Sequence, residues 1–178
     1  MVFSTGKDYS MDTSIHISPQ AGDAIEGIKR LIGFLSKKPH RDLGPGQLRL
    51  LLLNPLFRMR IALDAEKSYP ENIVGMASIS YQHILTGTHA EINDVVVDPD
   101  YHGKGIGKAL VRELIADAKL YAQDIGSPIM ISLTSKPSRI AANAMYLKLG
   151  FELTARHLRK NKKEFGTNLY RMTVTPFS

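Results

Sequence analysis

Few chains can carry the passage Val95-Val96-Val97-Asp98-Pro99-Asp100-Tyr101-His102-Gly103-Lys104-Gly105-Ile106-Gly107-Lys108-Ala109-Leu110 without forming a β-strand, a tight turn and a helix in that order. The three valines are β-branched and apolar, as a buried strand requires. Glycines at alternate positions then let the backbone come close to a ligand. The first turn of the following helix leaves N–H groups unpaired at the positive end of its dipole, so the passage predicts a cradle for a pyrophosphate. The helix is legible without the glycines: Ile106, Leu110, Leu114, Ala118, Tyr121, Ala122 and Ile125 recur at three and four residues and stop at Gly126. Lys104, Lys108 and Arg112 add positive charge near its start.

Spacing excludes two better-known phosphate loops. A dinucleotide fingerprint would need glycine where this chain has Lys108 or Leu110. A nucleotide-triphosphate loop would need glycine at His102 and serine or threonine at Ala109. What remains, His102-Gly103-Lys104-Gly105-Ile106-Gly107, resembles the cofactor motif Gln/Arg-x-x-Gly-x-Gly/Ala of the GNAT superfamily of acetyl-coenzyme A-dependent N-acetyltransferases, with histidine in the Gln/Arg slot. A second passage, Ser135 to Phe151, looks like that family's Ala-x-x-x-Tyr-x-x-x-Gly-Phe signature from Ala142 onward. The resemblance is strong from Ala90 to Phe151 and holds in outline elsewhere.

The resemblance implies a mixed α/β fold, with a central six- to seven-stranded sheet flanked by about four helices. It also implies acetyl-CoA as cosubstrate, bound by His102, Gly103, Lys104, Gly105, Ile106, Gly107 and Lys108, with the backbone of Val95, Val96 and Val97 pairing with pantetheine amides as a strand would. Arg139 stands where the family often has asparagine. It can reach a phosphate bidentately, and Asn143 can hydrogen-bond the pantetheine arm; both also fit a solvated surface.

The residues themselves predict similar elements. A helical pattern covers Ala24, Ile25, Ile28, Leu31, Ile32 and Leu35, a break spans Pro39 to Gly46, and a second short helix covers Gln47 to Leu53. Phe57 to Leu63 and Ile73 to Ile84 form an antiparallel strand pair across the turn segment Ser68 to Asn72. Strand Ala90 to Val97, the long helix and strand Ile129 to Thr134 make a parallel crossover. Ser138 caps a short helix that Gly150 ends, and Phe151 to Ala155 and Asn168 to Val174 complete the sheet. Family members place acceptor-binding elements near Lys37 to Gly46; read without the family, that segment is a solvated loop.

Acetyl transfer from a thioester to an amine needs a deprotonated amine, a stabilised oxyanion and a proton for the departing thiolate. Glu91 matches the position where histone-type relatives keep a base glutamate, acting through a water. A solvated glutamate near pKa ~4.3 is a weak base, so this role calls for burial that raises it. Asp94 is second, because bacterial relatives carry Glu-Asp where this chain has Asn93-Asp94. In a regular strand Glu91, Asn93 and Val95 share one face and Asp94 the other, so the two acids meet only across a bulge. Tyr146 fills the family's tyrosine slot, where a phenol of pKa ~10 is proposed to protonate the thiolate. On its helix Arg139, Asn143 and Tyr146 make a polar stripe, and Ala141, Met145 and Leu149 an apolar one.

Composition narrows the remaining classes. At 178 residues, 43% hydrophobic, the chain suits one domain over residues 14–178 behind a loose polar leader at 1–13. The net charge of +6 favours an anionic partner without choosing one, and coenzyme A satisfies it locally. Without cysteine there is no disulfide, thiolate metal site or acyl-cysteine intermediate. The six histidines show no metal spacing, so no metal is expected. The longest apolar run, Leu50 to Leu53, is far short of the ~20 residues that span a bilayer, which predicts a soluble cytoplasmic protein. The basic run Arg156 to Lys163 reads as a solvated hairpin tip, and nucleic acid is disfavoured as a partner.

The expected activity is N-acetyl transfer to a small-molecule primary amine by direct attack in a ternary complex. Alternatives are a protein lysine or N-terminal acceptor, or a non-catalytic acyl-CoA-binding or nucleic-acid-binding module. A homodimer is compatible with the resemblance, since relatives often pair through sheet or helix edges.

Overall fold

The computed structural model describes residues 15–18, 24–35, 43–158 and 165–176. The expected leader, residues 37–42 of the expected acceptor-side loop and residues 159–163 of the basic run lie outside the described residues. In chain order the elements are β1 (Ile15–Ser18), α1 (Ile25–Leu35), α2 (Pro45–Leu53), β2 (Phe57–Asp64), β3 (Ile73–Ile84), β4 (Gly87–Val97), a 3-10 turn (Pro99–Tyr101), α3 (Ile106–Ile125), β5 (Ile129–Ser135), α4 (Ile140–Lys148), β6 (Glu152–Leu158) and β7 (Phe165–Val174). Seven strands and four α-helices among the described residues give the mixed α/β fold expected.

The chain divides into two compact units, residues 1–79 with 94–114 and residues 80–93 with 115–178. In the first, the strands run in the order β1-β2-β3-β4, with β1 antiparallel to β2. Its core gathers Ile28 and Leu31 of α1, Leu48 of α2, Met59 and Ile61 of β2, Ile73 and Met76 of β3, and Val96 of β4. Gly75 brings β3 close to the first turns of α3, since a Cβ there would meet Ile106 and Leu110 side-chain atoms at 3.2 Å.

In the second unit the order is β3-β4-β5-β7-β6. β4 and β5 are parallel from Thr88↔Ile129 to Ile92↔Leu133, as a strand–helix–strand order predicts. β7 is antiparallel to both β5 and β6. The stripe predicted along α3 is the inward one: Ile106, Leu110, Leu114, Ala118 and Ala122 are buried.

Several expectations need correction, among them the starts of β4 at Gly87 and β7 at Phe165, earlier than the expected Ala90 and Asn168. β1 was not anticipated, because four residues between polar neighbours give too short a pattern to separate from a loop. α2 begins at Pro45 rather than Gln47, since proline at a first helical position loses no hydrogen bond. Ser138 does not cap α4: its N-cap is Arg139, with no side-chain capping bond. Arg156 and His157 belong to β6 instead of a hairpin tip.

Gly27 is buried in α1, and a Cβ on it would lie 2.6 Å from Ile73 Cδ1 and 2.9 Å from Pro70 O. Gly27→Ala gains up to ~1 kcal/mol of helix propensity but faces overpacking of ~1–3 kcal/mol against a backbone oxygen. The variant should unfold at a lower urea midpoint with an unchanged slope. A midpoint equal to or above the parent's would contradict the close approach.

Candidate active site

In the first unit the glycine turn adopts the conformation that its sequence demands. Gly103 and Gly105 have φ of 81° and 80°, the left-handed region where side chains are strained. Both are exposed, with nothing within 4 Å of where a Cβ would stand, so the backbone angle alone selects glycine there. Gly107, by contrast, is an ordinary half-buried helical residue. The first helical bond runs from the Ala109 N–H to the Gly105 carbonyl at 3.0 Å, which leaves the N–H groups of Ile106, Gly107 and Lys108 without an acceptor inside the helix. Open space beside a left-handed turn and a helix start suits a diphosphate. Lys104 is exposed, its ammonium 4.6 Å from the centre of the Tyr101 ring, and Lys67 approaches the same ring at 4.9 Å.

Buried acids that sequence reasoning did not single out hold this turn. Asp98 is buried, accepts from the Asp100 N–H at 3.1 Å and donates its own N–H to Val74 O at 2.8 Å. Arg30 of α1 pairs with the Asp98 carboxylate and also donates to Ile73 O at 2.7 Å. Burial by itself would push the Asp98 carboxyl up; the Arg30 and Asp100 hydrogen bonds, with the charges of Arg30 and Lys67, hold it below the ordinary value. Tyr101 donates its hydroxyl to buried Asp64. That bond, with the Glu66 amide, lowers Asp64, while burial and then the carboxylate raise Tyr101. Asp98 and Tyr101 sat inside the motif, but Arg30 and Asp64 are too distant in sequence for any spacing rule.

His102 is exposed and its Nε2 lies 3.0 Å from Val97 O. A carbonyl only accepts, so Nε2 carries the proton and donates. The ring thus secures the end of β4, whose Val96 is buried and whose Val95 and Val97 are half-buried. Lys108 is half-buried on α3. Asp94 is exposed and has φ of 53°, the only left-handed non-glycine residue among those described. That kink interrupts the alternation of faces along β4.

In the second unit Glu91 is exposed on β4, so the burial that its expected role calls for is not found. The β4–β5 pairing ends at Ile92↔Leu133, one step beyond it. Helix α4 turns out differently from its polarity pattern: Ala141 is exposed, Ile140 is 78% exposed, and the residue it buries is Tyr146. Polar side chains can face inward when partners await them, and Asn143 has such partners. Its Nδ2 donates to Lys136 O at 2.9 Å and Pro137 O at 3.3 Å, and its Oδ1 accepts from Tyr170 Oη at 3.0 Å. Arg139 is exposed at the N-cap.

The Tyr-x-x-x-Gly-Phe signature has a local physical cause. Gly150, at φ of 92°, turns the chain out of α4; its N–H reaches Leu147 O at 3.0 Å and the Phe151 N–H reaches Tyr146 O at 3.1 Å. These are the two bonds of a Schellman cap, and the Tyr146–Phe151 ring contact at 6.1 Å is its usual apolar partner. The Tyr146 ring also lies 5.7 Å from that of Tyr170. Burial raises the Tyr146 phenol above its ordinary value, partly offset by the nearby charge of Arg139, so it keeps its proton at neutral pH. Among the described residues no group of three or more His, Cys, Asp or Glu could hold a metal ion, and no helix is long and apolar enough to cross a membrane.

Comparison with known proteins adds to this geometry. Residues 29–151 match the model of the acetyltransferase (GNAT) family. The chain is 39% identical over 89 residues to GCN5-related N-acetyltransferase 2, chloroplastic, of Arabidopsis thaliana, covering 50% of this chain and 30% of that protein. It is 32% identical over 80 residues to N-alpha-acetyltransferase RimI of Mycobacterium tuberculosis, covering 45% and 46%. The matches span between 30% and 46% of the length of the curated relatives. Among solved structures, Arabidopsis thaliana NAA60 in complex with a bisubstrate analogue superposes with a TM-score of 0.70 at 16% identity, over 90% of this chain and 98% of that one, which shows a shared fold.

The acids beneath the turn set a pH dependence. Asp98 and Asp64 have folded pKa values below their unfolded ones, so the stability they confer is present above about pH 4–5 and is lost as pH falls through the folded values. Arg30→Ala leaves Asp98 buried without its cation; with the pair's side chains 31% and 10% exposed, the cost at pH 7 should be ~2–4 kcal/mol, below the full range for a buried pair. Urea unfolding at pH 7 and pH 3 should show the gap between parent and variant narrowing in acid. A gap independent of pH would contradict the pairing.

Proposed function

The chain belongs to the acetyltransferase (GNAT) family, and from that premise we propose that it moves an acetyl group from acetyl-CoA to a primary amine by direct attack. The observation that carries this reading is the pair of left-handed glycines, Gly103 and Gly105, opening onto the unpaired first-turn amides of α3. The amides of Ile106, Gly107 and Lys108 take the pyrophosphate, with Lys104 and Lys108 adding charge. The backbone of Val95 to Val97 meets the pantetheine arm. His102 serves by fixing the Val97 carbonyl, and Asn143, its amide engaged within the protein, serves by holding α4.

In the reaction the amine nitrogen bonds to the thioester carbon, the tetrahedral adduct collapses, and the carbon–sulfur bond breaks. The ammonium proton passes through a water to Glu91, once the bound substrates cover that exposed carboxylate, or to Asp94; the thiolate takes the proton of Tyr146, which solvent then restores. Burial supports the last assignment only in that it keeps the phenol protonated, and so available as a donor, at neutral pH. Glu91 and Asp94 are exposed carboxylates within reach of a cationic amine from solvent, which supports a small-molecule acceptor. A peptide N-terminus is the second reading, favoured by the likeness to an N-alpha-acetyltransferase.

Free-thiol release from acetyl-CoA, measured across a panel of small amines and peptides, tests both. Turnover should appear with amines and fall ~10²-fold in Tyr146→Phe with little change in KM for acetyl-CoA. A pure rise in KM would contradict the acid role. Gly105→Glu forces a charged side chain onto a left-handed residue beside the anion site, and should weaken coenzyme A by ~100-fold or more in calorimetry. Unchanged affinity in a folded variant would contradict the placement.

A further inference from the structure

Apart from its Schellman cap, helix α4 has little of its own to hold it. It is nine residues long, below the ~12–15 at which a helix is stable alone, and it lacks a side-chain N-cap. The residue it buries is Tyr146. What secures it from the sheet is Tyr170, a fully buried residue of β7 in register with Leu133 of β5 and Leu153 of β6. Tyr170 touches α4 twice, one turn apart. Its hydroxyl donates to Asn143 Oδ1 at 3.0 Å, and its ring meets that of Tyr146 at 5.7 Å with an interplanar angle of 49°. Asn143 carries the constraint onward, since its amide nitrogen closes the Lys136 and Pro137 carbonyls of the β5–α4 loop onto the helix. Its other acceptor contact, from Asn168 Nδ2, is long at 3.5 Å. The Tyr170 hydroxyl is therefore the short bond from β7 to the turn that bears Tyr146.

We propose that Tyr170, acting through Asn143 and through its ring, is the positioning residue that sets the Tyr146 phenol for proton delivery. The proposal rests on the reading of Tyr146 as the acid. Side-chain packing alone would restrain the Tyr146 ring; the hydrogen bond fixes the helix along its axis, where displacement of about 1 Å can cost up to ~10²-fold in rate. Tyr170→Phe keeps the ring and removes the bond, leaving Asn143 Oδ1 with its long contact.

A double-mutant cycle on the full chain tests this. Steady-state thiol release would be measured for the parent, Tyr146→Phe, Tyr170→Phe and the double variant. Tyr170→Phe should lower kcat about tenfold with KM for acetyl-CoA within about twofold, and should cost nothing further in the Tyr146→Phe background. An equal loss in both backgrounds would mean general structural support and overturn the proposal, as would a parental kcat in Tyr170→Phe. If Tyr146→Phe alone turns over like the parent, the acid reading fails and this proposal with it, a signature distinct from lost coupling. Asn143→Ala provides a second route should Tyr170→Phe not fold, with the same coupled pattern expected and additive losses contradicting it.

Discussion

The Asp98 carboxylate is the contact on which the first unit's glycine turn depends. Strand β4 ends there, and a chain leaving a buried strand has carbonyl and amide groups that must find partners. Asp98 meets the demand from both sides, with its amide on Val74 and its carboxylate on the Asp100 amide and the Arg30 guanidinium. A buried carboxylate without its cation would be costly, so the arrangement stands only while α1 delivers Arg30. Helix α1, the start of β3 and the 3-10 turn are thereby tied to one point. The glycines can then be left-handed and exposed, because the chain entering them is already fixed.

Both signature passages encode backbone conformation before side-chain chemistry. Gly103 and Gly105 are required by their φ angles, since no neighbour would obstruct a side chain there. Gly150 is required by the cap it closes, and Phe151 by the amide and ring it returns to Tyr146. A side chain beside such a turn can serve without entering it. Histidine in the Gln/Arg slot fits this pattern, as its ring works on the Val97 carbonyl of its own chain.

Periodicity made α3, β3 and the strand–turn–helix order readable, because each is long and its buried face repeats without interruption. Short or irregular elements were less so. β1 has four residues, and its pairing partner begins more than forty positions later. The left-handed backbone at Asp94 leaves no mark in composition, since aspartate is common in strand ends and turns alike. Polarity misled on α4, where the inward face carries Asn143 and Tyr146 and an exposed face carries Ile140: apolar character predicts burial only until a polar partner such as Tyr170 waits inside. Arg30–Asp98 and Tyr101–Asp64 join residues 68 and 37 positions apart, a relation that folding creates and that no local pattern encodes.

A crystal structure with acetyl-CoA bound tests most directly whether the glycine turn holds the diphosphate. The diphosphate should lie against the amides from Gly103 to Lys108, within hydrogen-bond distance of the first turn of α3. Density for the molecule elsewhere, with those amides facing only solvent, would contradict it.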